Sequence, residues 1–301
     1  MSAAIMFPGQ GSHRPEIGVP WRHHPAWSFV AEAEEILGEP IEPLLLADAD
    51  VSSTRSSQLA TFVFGLVVWD ALQPTLAEEP VAFAGHSLGQ ITALVAAGVL
   101  DRHQGVKFVA TRGTATEQAA AAQPGRMAAL LGASDELVAA ACSAVPGECW
   151  PANNNAPGQV VIAGTPAGIA VATEQARELG IRKVIPLPVG GAFHTPLMDQ
   201  AVDHLRPVVA ALEFGQPTAP VVANDDARPV TDPEEWRHRL LDHLVVPVQW
   251  ARSVEALRQL GATELVEPGA DTLTGLAKRI DRDLPARSIL TPDDLLVGAA
   301  P

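Results

Sequence analysis

Cysteine is scarce in this chain, with two residues in 301, and basic side chains are outnumbered 20 to 35 by acidic ones. Cys142 and Cys149 lack the spacing of a metal-ligand pair, and two thiols cannot build a disulfide framework. They read as one buried thiol and one loop thiol. The nine histidines form no HExxH array, and no CxxC accompanies them, so no metal site is expected. Long apolar runs are also missing: nothing approaches the roughly 18 uninterrupted residues that span a bilayer. The opening "MSAAIMFPGQGS" has no basic start ahead of an extended apolar segment, so no secretory signal is expected. These absences point to a soluble, cytoplasmic protein with no membrane partner. A formal net charge of −15 excludes a general nucleic-acid binder, which needs a basic footprint to displace counterions. Acidity of this kind favours solubility and names no partner by itself.

What is present suits a globular enzyme. The hydrophobic fraction is 47%, and the length allows one large domain or two. "AAIMFPGQGS" reads as a buried strand ending in a glycine-rich turn. Helices are expected over "PAWSFVAEAEEIL" and "SSQLATFVFGLVVWDALQ", followed by the strand "PVAFAGH" and the helix "GQITALVAAGVL", with "DRHQGVKFVATRGTATEQAAAA" continuing as helix. Strand and helix alternating over short connections predict an α/β fold with a mostly parallel sheet.

The pattern changes after "QPGR". "RMAALLGA" predicts a strand and "SDELVAAACSAV" a helix capped by Ser134. "CWPANNNAPGQVVIAG" predicts two strands joined by an Asn/Pro/Gly turn. A helix then starts at Thr165-Pro166 and stops before Gly180, and "RKVIPLPV" closes the set. The βαββαβ order suits a small α+β unit at 126–188, inserted into a core formed by 1–125 and 189–301.

"AGHSLGQ" carries the chemistry. Ser87 stands between two glycines where a strand gives way to a helix, the context that a nucleophile elbow requires. There the next amide, that of Leu88, is free to bind an oxyanion. A serine hydroxyl needs a general base within hydrogen-bond reach. His86 is adjacent, but neighbours at an elbow point apart. His194, after Gly190-Gly191-Ala192-Phe193, is the better candidate. A hydrolase would carry its acidic member before a late histidine. That order is not met here, so something other than a conventional triad acid orients His194.

"FPGQGS" at 7–12, "GHSLGQ" at 85–90, "TRG" at 111–113, "NNNAPGQVVIAG" at 153–164, "GAFHTPLM" at 191–198, "PVQW" at 247–250 and "EPGADTLTGLAKR" at 267–279 occur in order along the chain. Together they resemble the malonyl-CoA:acyl carrier protein transacylases and the related acyltransferases of polyketide synthesis. The resemblance implies a hydrolase-like α/β core with a ferredoxin-like insert and the active site between them. It implies ping-pong transfer through an acyl-Ser87 ester, with His194 as base and then acid. The backbone carbonyl of Gln249 would orient His194, and the amides of Gln10 and Leu88 would form the oxyanion hole. No permanently bound cofactor is implied: coenzyme A enters as a thioester substrate, and an acyl carrier protein is the partner.

The same resemblance assigns Arg112 to the free carboxylate of a malonyl group. A planar guanidinium can grip a carboxylate through two parallel hydrogen bonds, which lysine cannot imitate. Phe193 would exclude an α-methyl branch, and His86, Asn155 and Thr116 complete the expected substrate-binding set. Three departures stand out: small side chains at Thr114, Ala115 and Thr116, Gln90 in place of glutamate, and His13 in place of glutamine. They suggest a roomier pocket and a specialised pathway. The alternatives are transfer of a larger acyl group between two carrier proteins, a thioesterase-like hydrolase, and a non-catalytic docking module. Arg182-Lys183 and Lys278-Arg279 are the candidate carrier-docking cations in an otherwise acidic chain.

Overall fold

The first strand, β1 (Ala3–Phe7), is buried at every position, as a central parallel strand covered on both faces must be. Its side chains alternate between two cores. Ala3, Ile5 and Phe7 join one cluster, while Ala4 and Met6 join the other. In this computed structural model, which describes residues 2–47 and 53–296, the remaining strands are β2 (Ala82–Gly85), β3 (Arg126–Leu131), β4 (Cys149–Ala156), β5 (Gln159–Gly164), β6 (Lys183–Pro186), β7 (Val221–Val222), β8 (Pro229–Val230), β9 (Glu264–Pro268) and β10 (Ala286–Ile289).

Six of these strands form one sheet in the order β10-β9-β1-β2-β7-β8. Every pairing is parallel except the β7–β8 hairpin at the edge. The long helix Thr54–Leu72 is buried over most of its circumference and packs on the Phe7 face. A helix apolar on all sides belongs inside a layered core.

The other four strands form an antiparallel sheet, β4-β5-β3-β6. Helices Asp135–Ser143 and Pro166–Glu178 cover one of its faces, where Val138, Ala141, Ile169 and Ala172 meet Leu130 and Ile162. The opposite face carries Met127, Ala129, Val161 and Ala163 toward Ala192. β4 also ties into the larger body: the Asn154 amide donates to the Val248 carbonyl at 2.8 Å, and the Val248 amide to the Ala152 carbonyl at 2.9 Å. The predicted α/β core with a smaller α+β sheet is therefore present.

Two helices follow the elbow as expected, Leu88–Ala96 and Arg102–Ala122. Gly98 takes φ +80° between them, and a capping box of Asp101 and Gln104 starts the second. Asn153–Asn155 belong to β4 and not to a turn, with two register shifts that re-aim their side chains. Cys149 opens β4 and is buried, so it is no loop thiol; its sulfur lies 3.7 Å from that of Cys142.

Candidate active site

Ser87 caps the helix that follows β2 with φ +51° and ψ −111°, a strained conformation for a non-glycine residue. The flanking glycines are required by contact. A Cβ on Gly85 would sit 1.9 Å from the Gly89 carbonyl oxygen, and one on Gly89 would sit 2.0 Å from that of Phe7. The turn is thus pressed against both itself and the end of β1, which leads into the Gly9–Gln10 loop. Neither the Gln10 nor the Leu88 main-chain amide has an acceptor among the described residues.

His194 also has a positive φ, +64°, and is only 2% exposed. Its Nε2 lies 2.8 Å from Ser87 Oγ. Its Nδ1 faces two main-chain carbonyls, those of His243 at 3.0 Å and Val246 at 3.1 Å. Carbonyls only accept, so Nδ1 carries the hydrogen and Nε2 presents its lone pair to the serine. Burial, then the nearby Arg112 and His86, push the imidazole pKa down to about 3, so the ring is neutral near pH 7.

The Gln249 expectation is corrected. Its carbonyl accepts from the Ser253 amide at 2.9 Å and the Ser253 hydroxyl at 3.1 Å, because Gln249 caps the helix Trp250–Gln259. The carbonyls that hold His194 come instead from the turn after helix Glu235–Asp242. Carbonyls at a helix C-terminus have no donor within the helix and are free for such a task.

Ser87 and His194 open on a cavity of about 400 Å³ between the two sheets, which Gln10, His86, Arg112, Asn155 and Phe193 also line. Burial lowers the Arg112 pKa to about 10, which leaves the guanidinium cationic at neutral pH. One of its terminal nitrogens donates to Gln58 Oε1 at 2.6 Å, the other reaches Ser87 Oγ at 3.4 Å, and Nε has no partner among the described residues. His86 Nε2 and Asn155 Oδ1 are 2.8 Å apart, joining the elbow to β4.

Thr116 is also corrected, because it does not line the cavity. Its hydroxyl donates back to the Arg112 carbonyl at 2.8 Å and accepts from Gln58 at 3.3 Å, which points it along its own helix. Thr114 and Ala115 are likewise absent from the lining. Arg279 lines the cavity mouth and donates to Gln159 of β5, whereas Arg182 and Lys183 are exposed on and beside β6.

Sequence reasoning missed Gln58, Asn224 and His243. Gln58 had a signal, as a lone amide in an apolar helical run that proves 1% exposed. Asn224 and His243 had none, since Asn224 acts on main-chain groups and His243 holds His194 through its own main-chain carbonyl.

A family model described as acyl transferase domain matches residues 22–267. The malonyl CoA-acyl carrier protein transacylase of Salmonella typhimurium is 36% identical over 298 residues, covering 96% of each chain. The Bacillus subtilis protein of the same name is 34% identical over 300 residues, covering 97% of this chain and 94% of its own. An acyl carrier protein S-malonyltransferase structure from Vibrio cholerae matches with a TM-score of 0.94 at 37% identity, over 99% of both chains. A malonyl-transacylase solved with its type II PKS acyl-carrier protein gives 0.94 at 33% identity, over 99% of this chain and 98% of that one. With an elbow serine beside a neutral histidine, and with relatives this similar along its whole length, the chain belongs to the acyltransferase family of the malonyl CoA-acyl carrier protein transacylases.

Proposed function

We propose that this protein transfers a malonyl group from coenzyme A to the phosphopantetheine thiol of an acyl carrier protein, in fatty-acid or polyketide synthesis. The 2.8 Å approach of Ser87 Oγ to the lone-pair nitrogen of His194, in a cavity that also holds the Arg112 guanidinium, carries this reading.

In the first half-reaction Ser87 Oγ attacks the thioester carbonyl while His194 Nε2 takes the hydroxyl proton. The amides of Gln10 and Leu88 bind the oxyanion; one such donor contributes about 10²–10³ in rate. As the C–S bond breaks, the imidazolium returns its proton to the departing thiolate, leaving malonyl-Ser87 and free coenzyme A. In the second half the carrier thiol gives its proton to His194, attacks the ester carbonyl and releases Ser87, which regains the proton. His243 and Val246 hold the imidazolium through Nδ1–H in both halves. Arg112 grips the malonyl carboxylate, and Phe193 and Asn155 shape the space around it.

No resident cofactor takes part in these steps. Arg279 at the cavity mouth is the cation placed to meet an acidic carrier. The substrates put the reaction in the cytoplasm, and no described helix is long and apolar enough to cross a membrane.

Intact-mass measurement across malonyl, acetyl and longer acyl-CoA donors tests the proposal. The expected result is a malonyl adduct on Ser87 that is discharged to a holo carrier protein. Free malonate without carrier loading would mark a hydrolase, and absence of any adduct would overturn the reading.

A further inference from the structure

Asn224 follows β7, is 1% exposed and lies outside the cavity, yet all four of its polar groups are paired, three of them with residues of the elbow motif. Its Oδ1 accepts the Ser87 amide hydrogen at 2.8 Å, and its Nδ2 donates to the Gly85 carbonyl at 2.7 Å. Its own amide donates to Gln90 Oε1 at 2.7 Å, and its carbonyl accepts from the Gln249 amide at 2.7 Å. Gln90 and Gln249, neither of which reaches the reacting atoms, thereby acquire a task in holding Asn224.

The fifth contact is His243 Nε2, 3.2 Å from the same Oδ1. The orientation of the Asn224 side chain is fixed by one main-chain donor and one main-chain acceptor, so its oxygen must face the ring. His243 Nε2 therefore carries the hydrogen and donates it. The ring is 3% exposed, and burial together with Arg112, His194 and His86 holds it well below the ordinary histidine range, in keeping with a neutral tautomer. The main-chain carbonyl of this same residue accepts Nδ1–H of His194 at 3.0 Å. The two halves of the reacting pair are thus joined by a path that never enters the cavity: Ser87 amide, Asn224 side chain, His243 ring, His243 carbonyl, His194 ring.

We propose that Asn224 and the His243 imidazole are positioning residues that set the Ser87 hydroxyl and the His194 ring as one rigid unit. Both Ser87 and His194 sit at positive φ, and such strain persists only where surrounding contacts over-determine it. Asn224 supplies those contacts at the elbow, and His243 carries them to the base. The inference rests on the acyl-serine reading and concerns the rate of reaction at Ser87, not the identity of the acyl group.

The test compares His243→Phe, which keeps the carbonyl and the ring volume but loses the donor, with His243→Gln, whose amide can donate to Asn224. Two rates are measured: labelling of Ser87 by a fluorophosphonate, and carrier loading from malonyl-CoA. His243→Phe should slow labelling and kcat by about 10- to 100-fold, with KM for malonyl-CoA changed by less than about twofold. His243→Gln should recover most of both rates, which a general loss of packing would not allow. Parent-like labelling in His243→Phe, or equal slowness in His243→Gln, would overturn the bridge. A parent that labels at Ser87 but does not load malonate refutes the substrate reading alone; slower labelling in His243→Phe would then still support the bridge. A parent whose Ser87 reacts no faster than its surface serines would overturn both.

Discussion

Arg112 and Ser87 share one cavity wall, with Nη2 of the guanidinium 3.4 Å from the hydroxyl oxygen. Among the described residues, Gln58 is the only side chain that accepts from this buried cation closely, at 2.6 Å, and Nε is unpaired. A buried guanidinium so poorly matched is unfavourable until an anion arrives. A carboxylate two bonds beyond a thioester carbonyl is such an anion.

Replacing Arg112 with alanine should therefore separate malonyl from acetyl donors. Removing one partner from a buried ion pair costs about 3–5 kcal/mol, or roughly 10²–10⁴ in kcat/KM for malonyl-CoA. Acetyl-CoA offers no carboxylate and should lose nothing; once the unpaired cation is gone, its loading should rise. Carrier loading with each donor reads the outcome. Malonyl transfer within tenfold of the parent would show that the guanidinium does not hold the carboxylate.

Gly89 connects the elbow to the proposed oxyanion loop. A methyl group there would lie 2.0 Å from the Phe7 carbonyl, a contact that no side-chain movement can relieve. Gly89→Ala must push the end of β1 away and, with it, the Gln10 amide. The expected loss is about 10²–10³ in kcat, the value of one oxyanion donor, with substrate affinity much less affected. Gly11→Ala is the contrast, because none of the described residues has an atom within 4 Å of its added carbon. It must still pay the strain of φ +91°, so its effect should fall on stability rather than on rate.

Much of this site was legible in the sequence because side-chain chemistry demanded it. A serine flanked by glycines between a strand and a helix has few alternatives, and the elbow falls where expected. His194 was readable as the base that such a serine needs, whereas Arg112 came only through the family resemblance, since an arginine in isolation reads as half of a surface ion pair. What escaped was the work done by main-chain atoms. Any residue can offer a carbonyl, so nothing in "PVQW" or in "LLDHLVV" indicated which peptide would face His194. Asn224 escaped for the same reason, as its partners at the elbow are the backbone of Ser87 and Gly85. Thr116 misled in the opposite sense: its position on the helix was right, but a bond to the Arg112 carbonyl turned the hydroxyl away from the cavity. The asparagines of β4 looked like turn residues because their composition is that of a turn, whereas pairing with β5 across two register shifts makes them strand.

Acid should unfold this protein before it silences the catalytic base. His194 and His243 are neutral in the folded chain, the first pushed down to about 3 and the second well below its ordinary value. Unfolded, both take a proton near pH 6.5, about the value of a free imidazole. As pH falls below that point the unfolded chain binds protons that the folded chain refuses, so stability declines; above pH 7 neither group contributes a change. Between pH 7 and 5 His194 alone should remove about 2 kcal/mol, and His243 adds to the loss in the same direction, measurable by urea denaturation. His243→Phe removes one of the two and should lessen that loss. Over the same interval the folded fraction should keep an unchanged acylation rate, because Nε2 of His194 remains a lone pair. A rate that titrates near pH 6.5 in chain still folded would mean that His194 exchanges protons freely with water, and the buried, carbonyl-bound base on which the transfer mechanism depends would have to be given up.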